Sequence, residues 1–327
     1  MERGPIFVAG LERSGTSLLF ALLASHPALA MTRRTNLWKH FYEQYGDLAD
    51  PRNLDRCLAT MARYKRLRVL QIDFVALRHA FESGPRTYAR LFSLLEEQYA
   101  ARAGRARWGD KSLHTECWTE PILDAYPGAR ILHMIRDPRD RYASSRTRWT
   151  LRRGGIGAGI AEWLTSAHLA ADHSERHPTR YRVVRYEDLV TEPEATVRSV
   201  CRFVDEPFDA RMLAMEGAPR LLDQGGNSSY GRRAPGVIAT DSIGRYRTVL
   251  AAREIEFAQH VAGDEMLQFG YDLDVVPMGA LARSRFTLTT LPFERARAGV
   301  WSTVDARRSR RGRPVPDYRL VESEAFR

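Results

Sequence analysis

Lysine is almost missing from this chain of 327 residues. It stands only at Lys39, Lys65 and Lys111, and arginine supplies the rest of the 50 basic side chains. Cysteine is equally scarce. Cys57, Cys117 and Cys201 are isolated and form no CxxC pair. That excludes a disulfide framework and a cysteine-rich zinc site, and makes a reducing, cytoplasmic compartment the default expectation. No segment reaches 18 consecutive apolar residues, so no membrane-spanning helix is expected. The apolar run after Arg3 is only a strand long, too short for the core of a signal peptide. There is no HExxH motif and no clustering of carboxylate and histidine ligands along the chain, so no metal is expected. Internal repeats are also lacking.

Against these absences stands a formal net charge of +10. The excess points to anionic ligands or surfaces without saying which. A hydrophobic fraction of 44% is ordinary for a globular chain with a sizeable core. Short apolar runs alternate with helical patterns, which predicts an α/β fold: a P-loop-type parallel sheet flanked by helices on both faces. We expect one such domain over 1–276, with a helical insertion at about 51–104, and a basic C-terminal extension over 277–327.

The pattern is clearest in Pro5–Leu23, PIFVAGLERSGTSLLFALL. Pro5–Ala9 reads as a buried strand, Gly10–Gly15 as a turn of small and polar residues, and Thr16–Leu23 as a buried helix. Strand, glycine turn and helix together aim backbone N–H groups and a helix N-terminus at one point, which suits a phosphate. A nucleotide triphosphatase would read GxxxxGK[ST] here. Gly10, Gly15 and Ser17 keep their places, but Thr16 replaces the lysine and the cation has moved to Arg13. That argues against ATP or GTP hydrolysis while leaving an anion site. The bland alternative is an ordinary strand-to-helix turn.

Further along, Met31–Asp50 mixes aromatics and cations and fits either a pocket wall or a surface helix. Leu54–Glu82 and Tyr88–Ala101 show helical spacing, separated by Gly84-Pro85, and read as an insertion between the first two strands. Arg107–His114 reads as a strand running into a polar loop. Ala129–Ile135 is a buried strand leading into Arg136-Asp137-Pro138-Arg139-Asp140, with Pro138 near the first position of a helix reaching about Arg152. Another helix is expected from about Ile160 to His173. Tyr181–Val184 forms the next strand, and Pro193 opens a helix. Leu221–Gly236 reads as a glycine-rich loop over a site, and a last helix is expected at about Thr248–Ala262. Beyond Val276 the arginine-rich sequence reads as a solvated, partly disordered tail.

Three of these stretches, PIFVAGLERSGTSLL, ARILHMIRDPRDRYASS and YRVVRYEDLVTEPEATVRSVCRFV, resemble sulfotransferases that use 3′-phosphoadenosine 5′-phosphosulfate (PAPS), nearest the bacterial and tyrosylprotein branch. They occur in the family's order across about Pro5–Phe269. The resemblance implies that Arg13, Ser14, Gly15, Thr16 and Ser17 wrap the donor's 5′-phosphosulfate. Arg136 and Ser144 would hold its 3′-phosphate, with Arg148 as a further arginine. Tyr186, Ser228 and Ser229 would also contact the donor, and Arg245 would lie at the same end. The product would be 3′,5′-PAP. Eight residues is a little over two helical turns, so Arg136 and Ser144 can share a face. Arginine grips phosphate through two N–H groups and serine adds a short donor. Standing alone, RDPRD also fits an ordinary helix cap.

Sulfuryl transfer builds negative charge on the bridging oxygen, so fixed cations stabilise its transition state, and Arg13 and Lys111 are the candidates. The acceptor hydroxyl or amine needs a base. The tyrosylprotein branch implies a glutamate where this chain has Thr32-Arg33-Arg34-Thr35. The cytosolic branch implies a histidine near the lysine, here His114 with a one-residue offset. His114 is the first candidate, followed by Asp110, then His40 or Glu43. Arg33 and Arg34 would suit an acidic acceptor. The acceptor itself, a small molecule, saccharide or peptide, is not named by the sequence. No nucleic-acid partner is expected and a homodimer is left open. The alternatives are an inactive nucleotide-binding protein or a P-loop kinase or NTPase.

Overall fold

The computed structural model of the chain describes residues 3–146, 155–218, 236–310 and 314–321, with the backbone alone for 304–310. Five short runs become the strands β1 (Ile6–Ala9), β2 (Leu29–Arg33), β3 (Arg107–Lys111), β4 (Arg130–Ile135) and β5 (Tyr181–Arg185). They join in one parallel sheet in the order β2-β3-β1-β4-β5. Successive side chains point to opposite faces. Ile6, Val8, Met31, Leu132 and Met134 therefore enter one core, while Phe7, Ala9, Ala30, Trp108 and Ile131 enter the other.

The helices between strands fill both faces. α1 (Thr16–Ala24) follows β1 and is buried on nearly every side, as its mostly apolar sequence requires. After β2 come α2 (Leu37–His40), α3 (Pro51–Arg63), α4 (Lys65–Arg68), α5 (Phe74–Glu82) and α6 (Tyr88–Arg102). Their starts follow the sequence signals. Asp50, Asp73 and Thr87 each accept a backbone N–H at the head of α3, α5 and α6, and Pro51 takes the first turn of α3. α7 (Thr119–Ala125) precedes β4, and α8 (Pro138–Ser145) follows it with Asp137 as cap. α9 (Gly155–Arg176) leads to β5; α10 (Tyr186–Thr191), α11 (Pro193–Phe203) and α12 (Arg211–Ala214) come after it. α13 (Tyr246–Val249), α14 (Ala252–Gln268), α15 (Ala280–Arg285) and α16 (Leu291–Arg310) complete the chain.

Several expectations are corrected. The helical insertion lies between β2 and β3, not between the first two strands, because Leu29–Arg33 is itself a strand. Its pattern was hidden by Thr32 and Arg33, polar residues buried at the end of an inner strand. α9 starts at Gly155, earlier than expected, and the described part of α8 ends at Ser145. The last predicted helix is two, α13 and α14, split before Ala252. The C-terminal extension is not a solvated tail over its described length. Phe286 and Leu291 are buried with Ile156 and Ile160 of α9. Residues 314–321 dock on the insertion, where Leu320 bridges to Tyr64 and the Val321 N–H bonds to Arg63 O at 2.9 Å. Among the described residues, no helix is long and apolar enough to cross a membrane.

Candidate functional site

A parallel sheet delivers the residues after each strand to its carboxyl edge, where ligands bind in such folds. Here that edge carries Gly10–Gly15 after β1, Arg34–Asn36 after β2, Ser112–His114 after β3, Arg136–Asp137 after β4 and Tyr186 after β5. Four of the eight non-glycine residues with positive φ among the described residues cluster in these loops: Arg13, Arg34, Asn36 and His114. Strained backbone of this kind persists where the surroundings over-determine it, commonly at functional sites.

The first loop is a tight turn held by two glycines. Gly10 and Gly15 have φ of 115° and 92°. A Cβ at Gly10 would lie 2.4 Å from Met134 O, and one at Gly15 would lie 2.5 Å from Cδ2 of Tyr186. No side chain caps α1 and its first turn holds no acidic residue, so its N-terminal donors face the loop's interior.

The second motif closes on the first. Arg136 donates from Nη1 to Arg13 O at 3.1 Å and from Nη2 to Ser242 O at 2.6 Å. Its guanidinium lies 4.4 Å from the centre of the Tyr186 ring. The buried Nε of Arg136 has no partner among the described residues, a donor left over for an anion. Arg13 bonds to Ser144 Oγ through Nε at 2.8 Å and Nη2 at 2.7 Å. The cation assigned to the transfer end of the donor thus sits beside the serine assigned to the 3′-phosphate. Tyr186 bonds through its hydroxyl to Ser242 Oγ at 2.7 Å.

Lys111 ends β3 directly between Val8 of β1 and Arg33 of β2. It is 1% exposed. Burial, then the charges of Arg34 and Arg33, lower its pKa to about 7. Arg33 is lowered to about 10, first by burial and then by Arg34. The Arg33 Nε and Nη2 atoms are buried without partners among the described residues. Two buried cations side by side at the sheet edge leave a local excess of positive charge that an anion would offset.

The base candidates separate by position. His114 is partly exposed and its Nε2 lies 3.9 Å from Glu162 Oε1. Glu162 pairs with Arg141, which in turn donates to Glu12 O of the first loop at 3.2 Å. His114 is therefore linked to the loop through Glu162 and Arg141. Asp110 points to the opposite face of β3. There Thr32 Oγ1 lies 3.0 Å from both Asp110 Oδ1 and Glu96 Oε1, in a buried pocket under α6. Burial raises the pKa of both carboxyls. His40 is buried and its Nε2 is engaged by Arg319 at 3.2 Å. Glu43 is exposed. Of these candidates, only His114 stands beside the loop. Arg148, Ser228 and Ser229 lie outside the described residues, and Arg245 is exposed one residue before α13.

Three residues escaped the sequence reading. Glu116 is 1% exposed, accepts the Gly10 N–H on Oε2 at 3.0 Å and accepts Ser166 Oγ–H on Oε1 at 2.8 Å. Burial would raise its pKa, but His133, His114 and the backbone donors bring it below the usual range. It is an ionised strut under the loop. Asp140 accepts the N–H groups of Gly244 and Tyr246 at 2.7 and 2.8 Å, which anchors the Ser242 segment over Arg136. The advance signal for Asp140 was its place in the Arg136-Asp137-Pro138-Arg139-Asp140 run; Glu116 and Ser242 offered none.

The sequence matches a model of the sulfotransferase family over residues 5–210. Among curated proteins, it is 26% identical over 217 residues to protein-tyrosine sulfotransferase A of Caenorhabditis elegans, covering 64% of this chain and 52% of that one. An uncharacterized protein of Aquifex aeolicus (strain VF5) is 22% identical over 228 residues, covering 65% of this chain and 27% of its own length. The chain thus spans about half the length of the worm protein. Among solved structures, the sulfotransferase domain from the Synechococcus PCC 7002 olefin synthase superposes with a TM-score of 0.59 at 23% identity, covering 84% of this chain and 98% of that one. The sulfotransferase domain from the curacin biosynthetic pathway gives 0.55 at 21%, covering 84% and 99%. At these identities the likeness is one of fold.

Proposed function

The chain belongs to the sulfotransferase family, and we propose that it transfers a sulfuryl group from PAPS to a hydroxyl or amine. The observation that carries this reading is the junction of the two anion motifs: Arg136 holds Arg13 O, Arg13 binds Ser144, and Arg136 Nε is left without a partner. The residues present fit such a donor. The uncapped start of α1 and the side chains of Ser14, Thr16 and Ser17 take the 5′-phosphosulfate. Arg136 and Ser144 take the 3′-phosphate, with Arg13 between the two ends and Tyr186 closing the side.

The acceptor oxygen attacks sulfur in line as the bond from sulfur to the bridging oxygen breaks, and PAP departs. Lys111 in its charged form offsets the charge that grows on that oxygen. His114 takes the acceptor proton, with the Glu162 carboxylate 3.9 Å from its Nε2. Arg33 and Arg34, where a carboxylate would otherwise stand, favour an acceptor carrying its own negative charge. Catalysis by these groups calls for no metal.

Calorimetry with PAP, with ATP as control, tests the donor. We expect PAP to bind with at least ~10-fold preference, since each charged hydrogen bond to the 3′-phosphate is worth about 1.5–3 kcal/mol. Arg136→Ala should remove that preference. Tight ATP binding without PAP binding would overturn the reading.

A further inference from the structure

One group of ligand-type side chains lies outside the donor site. His173 is in the last turn of α9, and His177 is one residue beyond it. The His177 N–H still bonds to His173 O at 2.9 Å, so the two imidazoles stand one turn apart on the same face. Glu120 of α7 reaches across to them. Its Oε1 is 3.0 Å from His177 Nε2 and 3.5 Å from His173 Nδ1. One atom from each of the three residues lies within 4.8 Å of the other two.

His173 supplies the second observation. It is 4% exposed. Its Nε2 faces Glu116 O at 3.1 Å, and a carbonyl can only accept, so Nε2 carries the proton. Nδ1 is then a bare lone pair, buried and without a hydrogen-bond partner among the described residues. It is aimed at the Glu120 carboxylate, which is also an acceptor. Two acceptors turned toward each other, one of them on a buried imidazole, call for a cation between them. An imidazole fixed through its far nitrogen by a backbone carbonyl is also the usual outer support of a metal-bound histidine.

From this geometry we propose that Glu120, His173 and His177 bind a divalent transition metal of the zinc type and so clamp α7 to α9. The separations of Glu120 from the two imidazoles fit, and a small turn of His177 would close the third. Zn–N and Zn–O bonds of about 2.0–2.1 Å set tetrahedral ligand atoms roughly 3.3 Å apart. Asp172, whose Oδ2 is 3.6 Å from His173 Nδ1, or a water completes the shell. In the metal-free arrangement Arg176 stands in as the counter-cation, with Nη1 3.0 Å from Glu120 Oε1. Its side chain is half exposed and free to turn outward when the metal enters. The two imidazoles and one carboxylate suit zinc or cobalt(II), not magnesium or calcium.

The test uses the full chain without an affinity tag. Zn²⁺ is titrated against a chromophoric chelator, and Co²⁺ binding is followed by its visible absorption. We expect one metal per chain and the intense bands of four-coordinate Co²⁺. Glu120→Gln and His177→Gln should each weaken binding by ~10-fold or more. Arg176→Ala should tighten it, because the competing cation is gone. Zn²⁺ should raise the melting temperature of the parent chain but not that of Glu120→Gln. Glu120 is partly exposed, so that variant is expected to fold. Failure to bind either metal, or equal affinity in the parent and both ligand variants, would overturn the proposal and leave Arg176 as the cation facing Glu120. Neither result touches the donor reading.

Discussion

Lys111 is the residue whose charge depends most on what the loop holds. The unfolded chain keeps its proton to about 10.5, while burial and Arg34 and Arg33 bring the folded value to about 7. Between those limits the unfolded state binds more protons, so Lys111 makes the ligand-free protein more stable as pH rises from about 7 to about 10.5; below about 7 the cost of burying the charge is fully present. An anion on the loop reverses the preference and draws the proton back. Binding of PAP at pH 8 should therefore take up protons, read by calorimetry in buffers of different ionisation enthalpy, and Lys111→Met should abolish the uptake. An unchanged uptake in that variant would remove Lys111 from the anion's surroundings. His114 separates in the same way. His114→Gln should lower kcat ~10²–10⁴-fold while leaving PAP affinity within about twofold, as loss of a general base does. A matching loss of affinity would make it a binding residue instead. The positions of Arg13, Arg136, Ser144 and Lys111 near the carboxyl edge of the sheet were legible because each lies in a short motif at or just after the end of a strand. Glu116 and Asp140 were not, because their partners are 106 and 104 residues away along the chain and only the fold brings them together.

At the scale of elements, the seam between α6 and β3 contains a conflict. Glu96 and Asp110 both face the Thr32 hydroxyl, which can donate to only one of them, and Glu96 Oε2 has no partner among the described residues. Burial, then Asp110, raises Glu96 well above the ordinary carboxyl value, and burial raises Asp110 as well. For a carboxyl raised on folding, stability is fully present below its unfolded pKa and is lost as pH rises through the folded value. Glu96→Gln keeps the size and removes that loss. It should raise the melting temperature relative to the parent at pH 8 and change it little near pH 4. An equal fall at both pH values would mean that the ionised carboxylate is needed. The same seam explains why β2 was missed. Its final Thr32-Arg33 is polar because one side chain faces the carboxyl pair and the other faces Lys111, so the alternation that marks a strand carries no apolar signal there. The capped helices of the insertion and the glycine loop, by contrast, declare themselves in a few adjacent residues.

At the scale of the molecule, the question is whether the segment after Val276 is cover or part of the site's support. It carries no motif, and its arginines gave no hint of packing. Yet α16 rests on α9 so closely that a Cβ on Gly157 would meet Glu294 O at 2.4 Å, and the Gly157 N–H bonds to Glu294 Oε2 at 3.0 Å. α9 in turn holds the proposed donor site from behind. The Trp163 Nε1–H bonds to Arg136 O at 2.9 Å, and Gly159 O receives Arg141 at 3.0 Å. At the other end, Arg319 meets His40 and Leu320 pairs with Tyr64 on the insertion. Burial of Phe286, Leu291 and Val315 is worth about 1.5–3 kcal/mol for each side chain. That is a large share of a typical total of about 5–15 kcal/mol. Deleting 277–327 should therefore lower the melting temperature by ~10 °C or more. It should also weaken PAP binding, because α9, which holds Arg136, loses the helix packed on it. Gly157→Val probes the same link in the intact chain: its side chain pushes against the backbone of α16 and should reproduce a smaller part of both losses. If the truncated chain melts and binds PAP like the parent, the extension is a dispensable cover and the support of Arg136 comes from α9 unaided.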